Sequence, residues 1–269
     1  MTPARHTQFA VIVALAAMSA FAYEPYVMEK AAEFNAVKRD PNLPRAISPV
    51  PQMTDTNRNW DLHNGYAACV PWVKMYTATN PPYDVIFLGD SITACWGGPG
   101  REVWNRHFSG KDGAPYRCLN IGMDGDRTEN LLWRIQYEEW SGKAPKAFVV
   151  MIGTNNGGDE YPVEDVAEGI RLILGELRTR FPESTVILHP IFPRGGTNDV
   201  RRLKNERVNA EIRKFAVPPV RLVDFNDKFL NPDGTLVKGA FYDGLHPGKT
   251  GFEIWAANLL PVLREVLGR

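Results

Sequence analysis

From Val85 onward the chain alternates short apolar runs with stretches of helical periodicity, and no other feature narrows its fold so far. The apolar runs fall at 85–88, 116–121, 147–152, 185–189 and 220–225, each short enough for a buried strand. Between them, Val163, Val166, Ile170, Ile173, Leu174 and Leu177 recur at helical spacing, which predicts an amphipathic helix over 162–180. Similar reasoning predicts helices over 101–108, 199–216 and 250–267. A further helix should start after Asp126, with Asp126 as N-cap and Glu129 three residues on as a capping-box partner. Strands alternating with helices imply an α/β fold in which a parallel sheet is joined by right-handed crossovers.

The first three strands all end in small polar turns: Gly89-Asp90-Ser91, Gly122 with Gly125, and Gly153-Thr154-Asn155. Ligands in open α/β sheets collect at the carboxyl ends of the strands. Ser91, placed on a strand-to-helix turn, is therefore a candidate nucleophile, although a serine there can also act only as a helix cap. Around it the expected ends bring the N–H groups of the new helix, the Gly122 N–H with no side chain in the way, and the Asn155 carboxamide. That set suits attack on a carbonyl and retention of the resulting oxyanion. One histidine has a carboxylate at fixed local spacing, in Asp243-Gly-Leu-His246. Asp243 can hold the imidazole tautomer and leave the other ring nitrogen for Ser91. His6 falls in the leader described below, and His63 and His107 read as surface or packing residues. His189, at a strand end, is open between core hydrogen bonding and lining a pocket.

Composition excludes some partners. Thirty-one Lys and Arg balance 31 Asp and Glu, so no net field draws the chain to nucleic acid or to an anionic membrane. Residues 1–22 read as a signal peptide, with Arg5, an apolar run over 9–18 and cleavage after Ala22, which implies a secreted or periplasmic protein. The apolar run is too short for a stable membrane span. Residues 23–59 carry five prolines without sustained periodicity and read as an extended arm, followed by a helix over 62–76 within the main unit, 60–269. Cys69, Cys95 and Cys118 are an odd count without metal-ligand spacing, so at most one disulfide forms and buried thiols are the simpler reading. A nucleotide-binding module is disfavoured because the Gly122–Gly125 turn lacks a phosphate-cradling G-x-x-x-x-G-K-[ST].

Taken together, Gly-Asp-Ser91-Ile-Thr, Gly122, Gly-Thr-Asn155-Asn and Asp243-x-x-His246 resemble the motif blocks of the SGNH, or GDSL, hydrolases from about residue 60 to the C-terminus. Longer strings, Asn120 to Arg134, Pro193-Arg194-Gly195 and Lys204-Asn205 to Asn209, are similar to the platelet-activating-factor acetylhydrolase α-subunit type and bacterial acetylesterases near it. Met123-Asp124 departs from the Ile-Gly expected there. The resemblance implies a three-layer αβα sandwich around a flavodoxin-like five-stranded parallel sheet, and a serine esterase with catalytic Ser91, Asp243 and His246. It implies an oxyanion hole from Ser91, Gly122 and Asn155, and an acyl pocket closed by Ile92, Thr154 and Leu245. No cofactor or metal is expected, and the substrate should be a small-molecule or glycan ester carrying an acetyl group, with a homo-oligomer allowed. The alternatives are a lysophospholipase or lipase-type esterase and an inactive glycan-binding relative.

Overall fold

A computed structural model describes residues 33–34, 36–52, 83–137, 144–157 and 160–269. The expected leader and its expected cleavage site, Cys69, His63, the helix expected over 62–76 and part of the arm lie outside those residues. Within them, strands β1 (Val85–Gly89), β2 (Cys118–Asn120), β3 (Ala147–Met151), β4 (Thr185–Leu188) and β5 (Val220–Leu222) form one sheet. Its order is β2-β1-β3-β4-β5 and every pairing is parallel. The expected α/β class and five-stranded parallel sheet are thus observed, with β1 between β2 and β3.

The helices are α1 (Ser91–Ala94), α2 (Arg101–His107), α3 (Thr128–Tyr137), α4 (Val163–Arg180), α5 (Val200–Ile212) and α6 (Lys249–Leu267). Alternating strand side chains divide the core into two layers, because successive residues face opposite sides of a sheet. Ile86, Leu88, Phe148 and Val150 pack with α3, α4 and α5 through Leu131, Ile170, Leu174 and Val208. Val85, Phe87, Val149 and Met151 face α2 and α6, with Val103, Phe252, Trp255 and Leu259. On that side Trp96, just after α1, sits 4.4 Å from Phe252 and 5.1 Å from Trp255 between ring centroids. The one-turn helix that carries Ser91 is thereby wedged into the aromatic core.

Two local expectations need correction. The helix after Asp126 begins at Thr128, and no capping box forms there. The Asp126 carboxylate is instead paired with Arg134, Oδ2 to Nε at 2.9 Å, with both side chains fully buried. The Arg127 N–H is satisfied by Asn130 Oδ1 at 3.0 Å, and Glu129 accepts from Tyr161 at 2.7 Å. An ion pair in the core outcompetes a cap, since losing Arg134 would leave an uncompensated buried charge at a cost of about 3–5 kcal/mol. The last stretch of the 199–216 helix is also not α-helical: α5 stops at Ile212 and a 3-10 turn covers Arg213–Phe215. Asp199 caps α5 by accepting from the N–H groups of Arg201 and Arg202.

His189 has a core role. It is 1% exposed, its Nε2 accepts from Trp255 Nε1 at 3.1 Å, and its Nδ1 lies 2.8 Å from the Val223 carbonyl. Burial lowers its pKa to about 4, so the ring is neutral and joins β4 to α6 and the chain beyond β5. The Cys95 and Cys118 thiols are both free, and burial pushes both upward, Cys95 to about 12. No helix among the described residues is long and apolar enough to cross a membrane.

Candidate active site

The β1–α1 turn leaves Ser91 half-buried at the carboxyl end of the sheet, because α1 starts two residues beyond the end of the buried strand. Asp90 makes that turn: its Oδ1 accepts from the Ile92 N–H at 2.9 Å, while its Oδ2 is buried with no hydrogen-bond partner. Complete burial raises the Asp90 pKa to about 8 against that one helpful bond, so the group is largely protonated at neutral pH. Asp126, also buried, is raised to about 7 although Arg134 opposes the shift.

Ser91 Oγ lies 2.9 Å from His246 Nε2, and His246 Nδ1 lies 2.7 Å from Asp243 Oδ2. Asp243 Oδ1 accepts from the main-chain N–H of Leu245 at 2.9 Å and of His246 at 2.7 Å. Partial burial alone would raise this carboxyl, but the hydrogen bonds from His246 and Leu245 outweigh it and hold Asp243 below its usual range. The Gly244 φ of 79° lets the chain fold back within three residues, a conformation costly for other residues. The three residues singled out from their spacing are therefore joined in one hydrogen-bonded line across 155 positions of sequence.

Beyond β2 the chain continues alongside β1, with Ile121 N donating to Phe87 O and Met123 N to Gly89 O, both at 3.0 Å. This brings Gly122 against α1 so closely that a Cβ there would stand 2.5 Å from the Ala94 nitrogen. Only glycine fits. Its N–H donates to Asn120 Oδ1 at 3.0 Å, and Asn120 Nδ2 in turn donates to Thr93 O at 3.0 Å. Beyond β3, Asn155 Nδ2 donates to the Asp126 main-chain oxygen at 2.9 Å, which fixes the carboxamide plane.

Of the residues expected at the acyl pocket, Ile92 has no exposed surface and packs into the α6-side core, with Leu245 partly buried against the same cluster. Thr154 is 2% exposed, and its hydroxyl accepts from Arg194 Nη1 and Asn205 Nδ2, each at 3.2 Å. No one cluster unites the three.

Two neighbours of the line had no contact assigned to them from the sequence. The Tyr242 ring stacks on the His246 imidazole at 5.7 Å and 17°, and Arg194 reaches Thr154 beside Asn155. Arg194 stood in the quoted Pro-Arg-Gly string. Tyr242 carried no signal beyond preceding Asp243.

The sequence pattern described as the GDSL-like lipase/acylhydrolase family matches residues 87–254. The alpha1 subunit of platelet-activating factor acetylhydrolase IB from Pongo abelii is 31% identical over 211 residues, 76% of this chain and 82% of that protein. The alpha2 subunit from Rattus norvegicus is 36% identical over 166 residues, 61% of this chain and 68% of that protein. Among solved structures, a GDSL-like lipase from Bacteroides thetaiotaomicron matches with a TM-score of 0.59 at 18% identity, covering 72% of this chain and 96% of that one. At that identity the likeness concerns the fold.

Proposed function

The chain belongs to the GDSL-like lipase/acylhydrolase family and is an ester hydrolase, and we propose that it is a serine esterase removing acetyl groups through Ser91, His246 and Asp243. The Ser91–His246–Asp243 line carries the reading, because it gives a hydroxyl a base within hydrogen-bond reach and gives that base a fixed tautomer. His246 Nε2 takes the Ser91 proton as Oγ bonds to the ester carbonyl carbon, and Asp243 steadies the imidazolium. The proton then passes to the departing alkoxide, which leaves as the alcohol. Water repeats the sequence on the acyl-enzyme, releasing the acid and restoring Ser91.

Negative charge on the carbonyl oxygen is held by the N–H groups of Ser91 and Gly122 and by the second amide hydrogen of Asn155. The Gly122 N–H faces Asn120 Oδ1, so the oxyanion replaces or shares that acceptor. Of the three residues expected at the acyl pocket, partly buried Leu245 is the one with surface left to border the acyl group, with Ile92 packed behind it in the core, and this keeps the acyl group short. The alcohol half is an O-acetylated carbohydrate met outside the cytoplasm, a reading supported by the leader-like residues 1–22. Release of p-nitrophenol from p-nitrophenyl acetate, compared with the Ser91→Ala protein, tests the mechanism. Acetate release from acetylated xylan against short phospholipid acetyl esters tests the alcohol half.

A further inference from the structure

The segment 36–52 precedes the alternating unit and lies outside the family match, yet its hydrogen bonds converge on one short stretch of that unit. Gln52, 5% exposed, donates from Nε2 to the main-chain oxygen of Asp124 at 2.8 Å. The Val50 carbonyl accepts from Asn130 Nδ2 at 3.0 Å, and the Ala46 carbonyl from Thr128 Oγ1 at 2.9 Å. Arg39 approaches Glu129 at 3.5 Å and donates to the Arg45 carbonyl at 2.6 Å, which ties the arm to itself. Thr128, Glu129 and Asn130 are fully buried, so these bonds are shielded from competing water.

The Gln52 bond lands one residue beyond the last bond of this turn to β1, Met123 N to Gly89 O. Gly125, on the far side of Asp124, holds a φ of 80°. Asp124, between Gly122 and Gly125, offers its carbonyl to Gln52. On one side of that carbonyl is the Gly122 N–H, and on the other is the Asp126 oxygen that orients Asn155.

We propose that Gln52 is a positioning residue for the oxyanion hole, acting through the Asp124 carbonyl to hold the turn that carries one of its three donors, the Gly122 N–H, and the Asp126 carbonyl that orients a second, Asn155. The arm then has a part in the chemistry. This rests on Gly122 and Asn155 serving the oxyanion. A donor displaced by about 1 Å can cost up to 10²-fold in rate, and loss of one of several tethers should cost less, about tenfold.

The test is Gln52→Met, which keeps length and burial and removes the donor, assayed on p-nitrophenyl acetate below its unfolding range as read by circular dichroism. A fall in kcat of about tenfold with KM held within twofold is expected. An unchanged kcat, or a change confined to KM or to the melting temperature, would overturn the proposal and leave Gln52 a structural residue. Should Gln52→Met not fold, Gln52→Glu reads the same bond. Its ionised form turns an acceptor toward the Asp124 carbonyl, so its kcat relative to wild type should fall between pH 5 and pH 8, and a flat ratio would overturn the proposal. Asn155→Ala is run beside them. If that variant keeps full kcat, the oxyanion assignment itself fails; if it loses kcat and the Gln52 variants do not, only the role of Gln52 fails.

Discussion

The Asn155 carboxamide donates one hydrogen to the Asp126 main-chain oxygen at 2.9 Å, so its orientation is set before any substrate arrives. Asn155→Ala should therefore lower kcat by roughly 10²- to 10³-fold with little change in KM, because the donor meets charge that develops only in the transition state. Steady-state kinetics on p-nitrophenyl acetate separates this from a substrate-binding role, which would raise KM.

Ser91→Ala and His246→Ala should each lower kcat by several orders of magnitude, and Asp243→Ala by less, since that variant keeps both the nucleophile and the base and loses only the group that fixes the ring's tautomer. Activity above about a tenth of wild type in Ser91→Ala would point to another nucleophile.

Acyl length should matter steeply. Each methylene that fails to find burial forfeits about 0.8 kcal/mol and adds strain, so kcat/KM should drop from acetyl to butyryl and nearly vanish for octanoyl p-nitrophenyl esters. A rise along that series would make this a lipase-like enzyme and sink the acetyl reading.

Stability should fall with acid through His189. Its folded pKa, about 4, lies below the ordinary value of 6.5 because burial disfavours the charged ring. The unfolded chain therefore binds this proton first, and the contribution present above pH 6.5 is lost as pH falls toward 4. The shift corresponds to about 3 kcal/mol for this fully buried ring. His189→Gln, whose amide can both donate to the Val223 carbonyl and accept from Trp255, should flatten the fall of melting temperature between pH 6.5 and 4.5.

The sheet was legible because a parallel strand buried on both faces writes an unbroken apolar run, as in 85–88 and 147–152. The Ser91, Asp243 and His246 line was legible because Asp243 and His246 are local in sequence, and Ser91 follows the strand whose neighbours are β2 and β3. The role of Asp126 was misread because a carboxylate before a helix looks like a cap whatever stands across the core, and Arg134 lies beyond a local pattern. Gln52 stayed silent, and Asn120 and Arg194 were quoted without their contacts, for a related reason: each acts on a main-chain or hydroxyl atom, and such a partner has no residue type to search for.

The acid that precedes the nucleophile should set an alkaline boundary on the rate. Near pH 7 Asp90 carries its proton, so the field at the Ser91 turn is free of a full negative charge from its immediate neighbour. Above about pH 8 that proton leaves, and a buried anion then opposes the charge forming on the carbonyl oxygen close by. Turnover should decline on the alkaline side even though the imidazole is fully available as a base there, and in Asp90→Asn, which keeps the acceptor for Ile92, the decline should disappear. The working range of such an enzyme would be closed from above by a residue that never touches the substrate.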